Sequence, residues 1–267
     1  MDKQIKEFFE NQIKNWELAK SNFEALNFIN KRPFQCGSLT GFVQFNPGRA
    51  ISTLAKVDKN SIKSRKCFLC EKNRPKEQRT MEILPGWDLL VNPFPILPYH
   101  FTITNQHHIP QKLQLETGKE LAGKLQGLTV FFNDEGAGAS APDHMHFQAV
   151  PLEELPLINL IDSDKTNSMT EKLLFKILTE EKDIKECKDP MNVYFWHSKR
   201  GGEIKFIAIP RKRQRPKEYF LQPPLRRAIS PGAIDMAGIL VTPHEEDFNL
   251  TEEKEIENIY RQVAFEK

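Results

Sequence analysis

The sequence predicts an α+β fold in which antiparallel strands form a sheet with helices packed on one face. Three observations predict this class. Apolar residues recur at helical spacing near both ends of the chain, over residues 3–26 and 252–263. Apolar and polar residues alternate over 144–150, as in a strand. Two strand-like segments, 193–196 and 204–210, flank a turn rich in glycine, which is typical of a hairpin.

The composition excludes several classes of protein. Charged residues are plentiful but balanced, and the formal net charge of the 267 residues is only +2, without the clustered basic footprint of a nucleic-acid-binding protein. The first ten residues are too charged for a signal peptide, and no apolar run is long enough to span a membrane. Four cysteines do not make a disulfide framework in a chain of this length. We therefore expect a cytoplasmic protein in a reducing compartment, with no nucleic-acid or membrane partner.

The first elements are predicted to be a helix and two strands. The amphipathic pattern over residues 3–26 predicts one helix that packs on the body of the protein. Arg49, beside a turn, could reach a phosphate, although such an arginine is more often solvated. The other segments are a turn-rich connection at 30–38 and two strands, 39–45 and 50–57, around a turn at 46–49.

A Cys-x-x-Cys pair follows at Cys67 and Cys70. Thiolates two residues apart on a tight turn can bind one tetrahedral ion such as Zn²⁺, which accepts mixed cysteine and histidine ligands. The same spacing also fits a redox-active pair or two unrelated core cysteines. A metal site would need two further ligands from elsewhere in the chain.

The middle of the chain is predicted to supply central strands and a helix. Three glycines within residues 112–128 weaken the helix prediction, although they would permit close packing of a helix on the sheet. Asn133 ends a strand, where its side chain could cap a turn or lie near a phosphate. In order, the elements are strands at 89–91 and 100–104 around a proline-rich turn, a helix within 112–128 and a strand at 129–133.

The strongest functional signal lies in residues 136–148. His144, His146 and Gln148 fall at alternate positions, which puts them on one face of a strand. The glycines and alanines just before them would let backbone N–H groups approach an anion closely. A nucleophilic imidazole beside such a loop suggests phosphoryl or nucleotidyl transfer. A bare His-x-His also fits a partly exposed polar face, and the small residues also fit a turn without a ligand.

The patterns divide the chain into a first unit of residues 1–152, a connecting segment of 153–190 and a second unit of 191–267. The basic cluster at 211–215 begins with Arg211 and fits either substrate phosphates or a solvated turn. In order, the elements are a polar connection at 153–165, a helix at 169–178, a charged loop at 183–191, the hairpin of 193–196 and 204–210, a strand ending at 241 and a helix at 252–263 capped by Thr251.

The string from Asn133 to Gln148 resembles the active-site strand of the histidine-triad superfamily, in its transferase and phosphorylase branch. That branch ends in His-x-His-x-Gln, as this strand does, whereas the hydrolase branch typically has a third histidine. It includes galactose-1-phosphate uridylyltransferase, diadenosine tetraphosphate phosphorylase and GDP-hexose phosphorylase. The resemblance covers residues 40–150 well and the remainder loosely. It implies two histidine-triad-like halves, the second of them degenerate because 191–267 contains neither His-x-His nor Cys-x-x-Cys.

The resemblance implies nucleotidyl transfer or phosphorolysis on a nucleoside diphosphate sugar or a dinucleoside polyphosphate. His146 would attack the α-phosphorus and form a covalent nucleotidyl-histidine, while the Gln148 amide would hydrogen-bond that phosphate. Phosphate or a sugar phosphate would then take the nucleotidyl group. The residues expected to meet the nucleotide or its phosphates are Asn92, Asn133, Gly138, Ala139, Ser140, Ala141 and Arg211.

The resemblance also implies a structural zinc ion and, since relatives commonly dimerise, a homodimer. In uridylyltransferase relatives with zinc, the ligands come from the Cys-x-x-Cys pair, a strand-ending histidine and the first histidine of His-x-His. Transferred to this sequence, the ligands are Cys67, Cys70, His108 and His144, with His107 as the adjacent alternative to His108. With four protein ligands no position is left for water, so the metal would be structural.

Two other classes of function stay open. A histidine-triad hydrolase would keep the same strand but release the nucleotide to water, and Gln148 argues against it. A non-catalytic nucleotide-binding protein would keep the base and phosphate contacts without turnover, and the intact His146 argues against it. The sequence contains no residue that distinguishes guanine from adenine or that identifies a sugar.

Overall fold

The computed structural model describes residues 1–50, 58–163 and 170–267 of the chain. Within these ranges a seven-stranded sheet lies between a layer of helices and a second layer that contains a three-stranded sheet. This arrangement confirms the predicted α+β class with antiparallel pairing and helices on a sheet face. None of the helices in the described ranges combines the length and apolar character that crossing a bilayer requires.

Helices and strands alternate along much of the chain. The helices are α1 (Lys3–Asn15), α2 (Glu17–Ala25), α3 (Lys59–Ser64), α4 (Leu115–Lys124), α5 (Pro156–Ser163), α6 (Glu181–Glu186), α7 (Ala233–Met236), α8 (Glu245–Leu250) and α9 (Glu253–Val263). The strands are β1 (Asn30–Cys36), β2 (Leu39–Phe45), β3 (Met81–Leu84), β4 (Trp87–Val91), β5 (Phe101–Asn105), β6 (Leu128–Asn133), β7 (His146–Pro151), β8 (Met191–His197), β9 (Ile204–Pro210) and β10 (Ile239–Thr242).

The larger sheet has the strand order β3-β4-β5-β7-β6-β8-β9, and all of its neighbouring pairs are antiparallel. The smaller sheet has the order β1-β2-β10, in which β1 and β2 are antiparallel but β2 and β10 are parallel. Parallel pairing departs from the purely antiparallel prediction, and it is possible because β10 reaches β2 through a long connection instead of a hairpin. Both sheets combine strands from before residue 152 and after residue 191, and the division into two histidine-triad-like halves stays a prediction.

The two faces of the larger sheet are both buried. One face packs against α1, α2 and α4, and the other packs against the smaller sheet together with α5, α7 and α9. Helix α4 lies very close to the larger sheet at Gly118, because a Cβ atom at this position would lie 2.5 Å from the ring of Phe195. This confirms that a glycine of the predicted 112–128 helix permits close packing on the sheet.

The N-terminal helix is interrupted where one continuous helix over 3–26 was predicted. The backbone of Trp16 is extended, with φ −134° and ψ 97°, and it separates α1 from α2. The Trp16 side chain is only 4% exposed. The helix breaks where the Trp16 ring is buried, so tertiary packing overrides the helical pattern of the sequence at this residue.

The prediction of a turn-rich connection at 30–38 was wrong, because most of it forms β1. This strand pairs with β2 residue by residue, from Asn30 opposite Phe45 to Cys36 opposite Leu39. Since β1 lies at the edge of its sheet, it tolerates a proline, and pairing overrides its weak strand propensity. The predicted strand at 39–45 is confirmed as β2. The predicted strand at 50–57 falls, beyond residue 50, outside the described residues.

The connecting segment contains helices, but not where the pattern predicted them. Helix α5 occupies the predicted polar connection at 153–165, and α6 occupies part of the predicted charged loop. The expected helix at 169–178 is absent from its described part, 170–178, apart from a short 3₁₀ turn at Thr170–Lys172. Phe175 and Leu178 instead form isolated bridges with other segments, so their apolar side chains are buried by extended backbone.

The hairpin and the closing helix are confirmed as β8, β9 and α9. The cap of α9 differs from the prediction, because Glu252 occupies the N-cap position without a side-chain cap. Thr251 instead donates a hydrogen bond from Oγ1 back to the carbonyl of Asp247. Its hydroxyl therefore closes the end of α8 and does not begin α9.

Candidate active site and metal cluster

A cavity of about 620 Å³ lies between the larger sheet and the layer that contains the smaller sheet. This volume is typical of a small-molecule site. Strand β7 supplies His146 and Gln148 to the cavity, and the loop before it supplies Gly138, Ala139 and Ser140. Further lining residues include Leu90, Asn92, Phe94, Ile96, Thr102, Phe131 and Asn133 from the sheet and its loops, Arg49, Arg65, Phe68 and Leu69 from the first third of the chain, and Arg215, Ser230, Gly232 and Asp235 from the last.

His146 presents one ring nitrogen to the cavity. Its Nδ1–H donates a hydrogen bond to the carbonyl of His144 at 2.8 Å, and a carbonyl can only accept, so Nε2 carries the free lone pair. Burial lowers the pKa of His146 to about 4, and its side chain is only 4% exposed. The imidazole is therefore neutral near pH 7, in the tautomer that a nucleophile requires.

Gln148 is oriented by a third histidine that the sequence patterns did not single out. The buried His100 accepts the backbone N–H of Ile96 at Nδ1, at 3.2 Å, so its proton lies on Nε2. That Nε2–H donates to Gln148 Oε1 at 2.9 Å. Burial lowers the pKa of His100 to about 3, which keeps it neutral. The Gln148 amide oxygen is thus engaged, and its NH₂ group remains as a donor.

Gln111 holds the strand end that carries His146. Its Oε1 accepts the backbone N–H of His146 at 2.8 Å, and its Nε2 donates to the carbonyls of His146 and Asn133 at 2.9 Å each. The register of β6 and β7 ends at the pair of Phe131 and Gln148. The Gln111 amide therefore takes the place of a peptide group where the two strands separate.

Asn133 lies at the cavity and also connects it to the C-terminal part of the chain. Its Oδ1 accepts the backbone N–H of Ala233 and the side-chain Nδ2–H of Asn192, both at 2.8 Å. Of the two predicted roles, the capping contact is present, but it joins Asn133 to α7 across the fold and not to a local turn. Asn92 also lines the cavity, with its Oδ1 accepting the backbone N–H of Phe94 at 3.0 Å.

The predicted phosphate loop lies only partly at the cavity. Gly138 has φ +101°, and a Cβ atom there would lie 2.6 Å from the Cα of Gly232, so glycine is required. The N–H of Ala139 donates to the carbonyl of Asp134 at 3.3 Å and is used within the loop. Ala141 does not line the cavity, and it packs in a small cluster with Cys67 and Leu69.

The assignment of Arg211 to phosphate binding requires correction. Arg211 is 0% exposed, and its guanidinium donates to the carbonyls of Val263 and Pro231 and to the side chain of Asn192. Two further bonds reach backbone carbonyls at residues 213 and 214. With its N–H groups bound inside the protein, Arg211 is structural. Arg215, from the same basic cluster, lines the cavity instead.

The charged side chains that line the cavity are predominantly cationic. Among the residues that the structure describes, the lining includes three arginines, Arg49, Arg65 and Arg215, and one carboxylate, Asp235. Burial raises the pKa of Asp235 to about 6, and both of its oxygens accept backbone N–H groups. Arg49, for which both phosphate binding and simple solvation were considered, is half-buried, and its guanidinium donates to the carbonyl of Phe94. This charge balance favours an anionic ligand such as a phosphate ester.

The structure brings Cys67, Cys70, His108 and His144 together as a cluster that could hold a metal ion. Their ligand atoms all lie within 4.8 Å of one another. The Nδ1 atom of His144 lies 3.3 and 3.6 Å from the two sulfurs, and that of His108 lies 3.2 Å from Cys70 Sγ. Ligands about 2.0–2.3 Å from a tetrahedral ion are separated by about 3.3–3.8 Å, and these three sulfur–nitrogen distances are close to that range. Both His107 and His108 are exposed, but only His108 lies within the cluster, so the geometry favours His108 as the candidate ligand.

The His144 tautomer also suits a metal ligand. Its Nε2–H donates to the carbonyl of Asn105 at 2.8 Å, which leaves Nδ1 unprotonated toward the two sulfurs. A backbone acceptor on the distal ring nitrogen is the usual partner of a metal-binding histidine. Since His144 and His146 are two residues apart, the cluster and the cavity share one strand end.

The fold is an α+β fold similar to that of yeast Ap4A phosphorylase Apa2. The solved structure of that enzyme in complex with Ap4A has a TM-score of 0.66 at 15% identity, over 100% of this chain and 99% of that one. Its complex with AMP gives 0.59 at 15% identity, over 96% and 97%. A further structure of Apa2 gives 0.57 at 15% identity, over 94% and 97%. At this identity the likeness is one of fold.

The chain belongs to the family described as Domain of unknown function (DUF4922), whose model matches residues 8–151. This range contains the Cys-x-x-Cys pair and the His-x-His-x-Gln segment, together with His100 and His108. None of the curated proteins matches the sequence.

Proposed function

We propose that this protein is a nucleotidyltransferase, acting as a phosphorylase on a dinucleoside polyphosphate or a nucleoside diphosphate sugar through a covalent nucleotidyl-histidine at His146. The observation that carries the proposal is the neutral imidazole of His146 at the cavity, with Nδ1–H held by the His144 carbonyl and Nε2 left as a nucleophile. The similarity of fold to an Ap4A phosphorylase, crystallised with AMP and with Ap4A, supports a nucleotide as the substrate.

The proposed first step is a displacement at the α-phosphorus. The Nε2 lone pair of His146 forms the new N–P bond, and the P–O bond to the remaining polyphosphate or sugar phosphate breaks. The leaving oxygen takes the electron pair. The ring then carries a positive charge, which the bond from Nδ1–H to the His144 carbonyl stabilises. Splitting one difficult displacement into two easier ones is the general advantage of a covalent intermediate.

In the proposed second step, an oxygen of inorganic phosphate or a sugar phosphate attacks the same phosphorus. The P–O bond forms, the N–P bond breaks, and its electrons return to Nε2. The Gln148 NH₂ group is suited to donate to the phosphoryl oxygens in both steps, because His100 already occupies its amide oxygen. The cavity arginines are suited to neutralise the remaining phosphates.

The proposal includes a structural Zn²⁺ bound by Cys67, Cys70, His108 and His144. A borderline-soft ion is suited to two thiolates and two imidazoles, and such a site stabilises the folded chain without activating water. The same resemblance leads us to propose a cytoplasmic homodimer. Light scattering that finds a particle of 30.9 kDa across micromolar concentrations would remove the dimer.

Trapping the covalent intermediate tests the mechanism. The protein is incubated with Ap4A without phosphate, and its intact mass should increase by one nucleoside monophosphate. The adduct should be acid-labile and should disappear when phosphate is added, with release of a nucleoside diphosphate. A hydrolase would release the monophosphate to water, and a non-catalytic binding protein would leave Ap4A intact. His146→Ala should abolish the adduct, whereas His197→Ala, which lies outside the lining residues, should keep it.

A parallel screen with nucleoside diphosphate sugars and phosphate distinguishes the two substrate classes. Formation of a nucleoside diphosphate and a sugar phosphate would identify the sugar nucleotide as the substrate. Ping-pong kinetics in the His146→Ala protein would overturn the nucleophile assignment. A ternary-complex rate law without any trappable adduct would overturn the double displacement itself.

Elemental analysis tests the metal. Protein purified without chelator should contain about one equivalent of zinc per chain. Cys67→Ser should lose the metal and lower the thermal midpoint, because metal binding is linked to folding. The matched control is Cys187→Ser, a half-buried cysteine outside the cluster, which should retain both. Folded protein without metal would contradict the zinc site.

A further inference from the structure

The turn between Cys67 and Cys70 does more than supply two sulfur ligands, because its other two residues line the cavity. Leu69 is buried beside Cys67 and Ala141. Phe68 also lines the cavity, yet its side chain is 49% exposed. A large aromatic ring is thus presented at the cavity by the four-residue segment that the metal cluster holds at both ends.

The position of this turn is determined by several contacts besides the cluster. Asn73 donates from Nδ2 to the carbonyl of Cys67 at 2.8 Å. Arg74 donates from Nε to the carbonyl of Leu69 at 2.8 Å, and its Nη1 forms an ion pair with Asp88 at 3.3 Å. The backbone on both sides of Phe68 is therefore anchored, and an exposed ring on such a backbone is preorganised for contact with a ligand.

Arg65 places a positive charge directly beside this ring. Its guanidinium carbon lies 5.0 Å from the centre of the Phe68 ring, and its Nη2 donates to Asp143 at 2.6 Å. Its Nη1 is buried but has no hydrogen-bond partner among the described residues. An arginine that lines a cavity with one nitrogen uncommitted is suited to an anionic group of a ligand.

From these contacts we infer that Phe68 and Arg65 form a subsite for the second nucleoside of a dinucleoside polyphosphate. Phe68 stacks on the second base, and Arg65 Nη1 binds a phosphate between that base and the phosphorus that reacts with His146. The inference rests on the proposed function and narrows its substrate to the dinucleoside polyphosphate class. A hexose, in contrast, offers no aromatic face for Phe68, since base–aromatic stacking requires a π-system on the ligand.

Other exposed phenylalanines do not share this setting. Phe220 is 69% exposed, but it does not line the cavity. Single exposed apolar side chains are common on protein surfaces and need no ligand. Phe68 differs because exposure, the cavity and an uncommitted guanidinium nitrogen coincide. Phe220→Ala is therefore a matched control for Phe68→Ala.

Calorimetric binding of Ap4A and AMP tests the subsite. The measurements use a His146→Ala background, in which no covalent step consumes the ligand. Phe68→Ala should weaken Ap4A binding about tenfold, the loss expected for one base–aromatic stack, and should leave AMP binding within about twofold. Phe68→Trp should retain the Ap4A affinity, and Phe220→Ala should change neither. Equal metal content in all variants would show that the turn itself is intact.

The outcomes separate this inference from the proposed function. If the His146→Ala parent binds both ligands and Phe68→Ala leaves the ratio of the two Kd values unchanged, the subsite is wrong while nucleotide binding stands. If Phe68→Ala weakens Ap4A and AMP equally, the ring contacts the first nucleoside and the assignment is also wrong. If the parent binds neither nucleotide, both the proposed function and the subsite fail.

Discussion

Strand β7 divides its side chains between two very different surroundings. His146 and Gln148 face the cavity, where they contact His100 and the carbonyl of His144. Phe147, between them, is fully buried on the opposite face and packs against the rings of Trp87, Phe132 and Phe195. Hydrogen bonds fix the side chains of His146 and Gln148 at the cavity. The side chain of Phe147, in contrast, is fixed by apolar packing alone.

Neighbouring residues on this strand should therefore respond in opposite ways to substitution. Removing a cavity-facing group should affect chemistry more than folding, because the space it leaves joins an existing cavity. Removing a core-facing group should affect folding more than chemistry, because close-packed interiors cannot collapse fully around a deletion. Substitutions at both kinds of position measure how far this separation of activity from stability extends.

His146→Ala should produce the largest effect, a loss of activity with little change in stability. Loss of the nucleophile should reduce kcat for Ap4A phosphorolysis by at least about 10⁴-fold, which corresponds to about 5.4 kcal/mol of transition-state stabilisation. The free energy of unfolding should change by only about 1 kcal/mol. Kinetics and urea denaturation of the same preparation measure the two quantities. A variant that unfolds instead of losing activity would break the comparison.

Phe147→Ala, one residue away, should show the reverse. The free energy of unfolding should fall by about 3–5 kcal/mol, because a fully buried ring leaves a cavity among three aromatic neighbours. The fraction that remains folded should keep its adduct with His146. Denaturant titration gives the stability, and intact mass at low temperature gives the adduct. Phe147→Leu serves as the control, with a smaller loss of stability because most of the volume is kept.

Arg211→Met tests whether Arg211 stabilises the fold or binds a substrate phosphate. Its sequence setting predicts phosphate binding, but its burial predicts a loss of about 3 kcal/mol in the free energy of unfolding, because several carbonyls lose their donors. KM for the nucleotide should stay within about twofold. Arg213→Met, an exposed neighbour, should change the stability by no more than about 0.5 kcal/mol. A raised KM with unchanged stability would restore the phosphate-binding role.

Gln148→Ala and His100→Leu should give the smallest of these effects. Each should slow nucleotidyl transfer about 10–100-fold, or about 1.4–2.7 kcal/mol, without abolishing the adduct. Because His100 acts through Gln148, the double variant should be no slower than Gln148→Ala alone. Single-turnover rates of adduct formation measure this coupling. Fully additive losses would show that His100 does not act by orienting the amide.

Local patterns predicted much of the site because its key residues are close in sequence. The period of two puts His146 and Gln148 on one face of β7 and Phe147 on the other, as the structure has them. His144, which was predicted on the same face as His146, instead precedes β7 and lies in the cysteine–histidine cluster. The Cys-x-x-Cys spacing likewise identifies half of the cluster that could hold a metal ion. The secondary-structure prediction failed where strand pairing overrode a weak strand propensity, as in β1. It also failed where apolar residues are buried by extended backbone and not by a helix, as at Phe175.

Short-range periodicity and spacing in the sequence predicted the α+β class, the side chains that share one face of β7 and the Cys67–Cys70 pair, whereas the two histidines of the candidate ligand set were implied by the resemblance to the histidine-triad superfamily. Only the tertiary structure decided that His108 and not His107 joins the cluster, that His100 orients Gln148, and that Arg65 and Arg215 reach the cavity while Arg211 is buried. Each of these decisions depends on contacts between segments far apart in the chain. Their geometry is fixed by sheet order and packing, which no local pattern encodes.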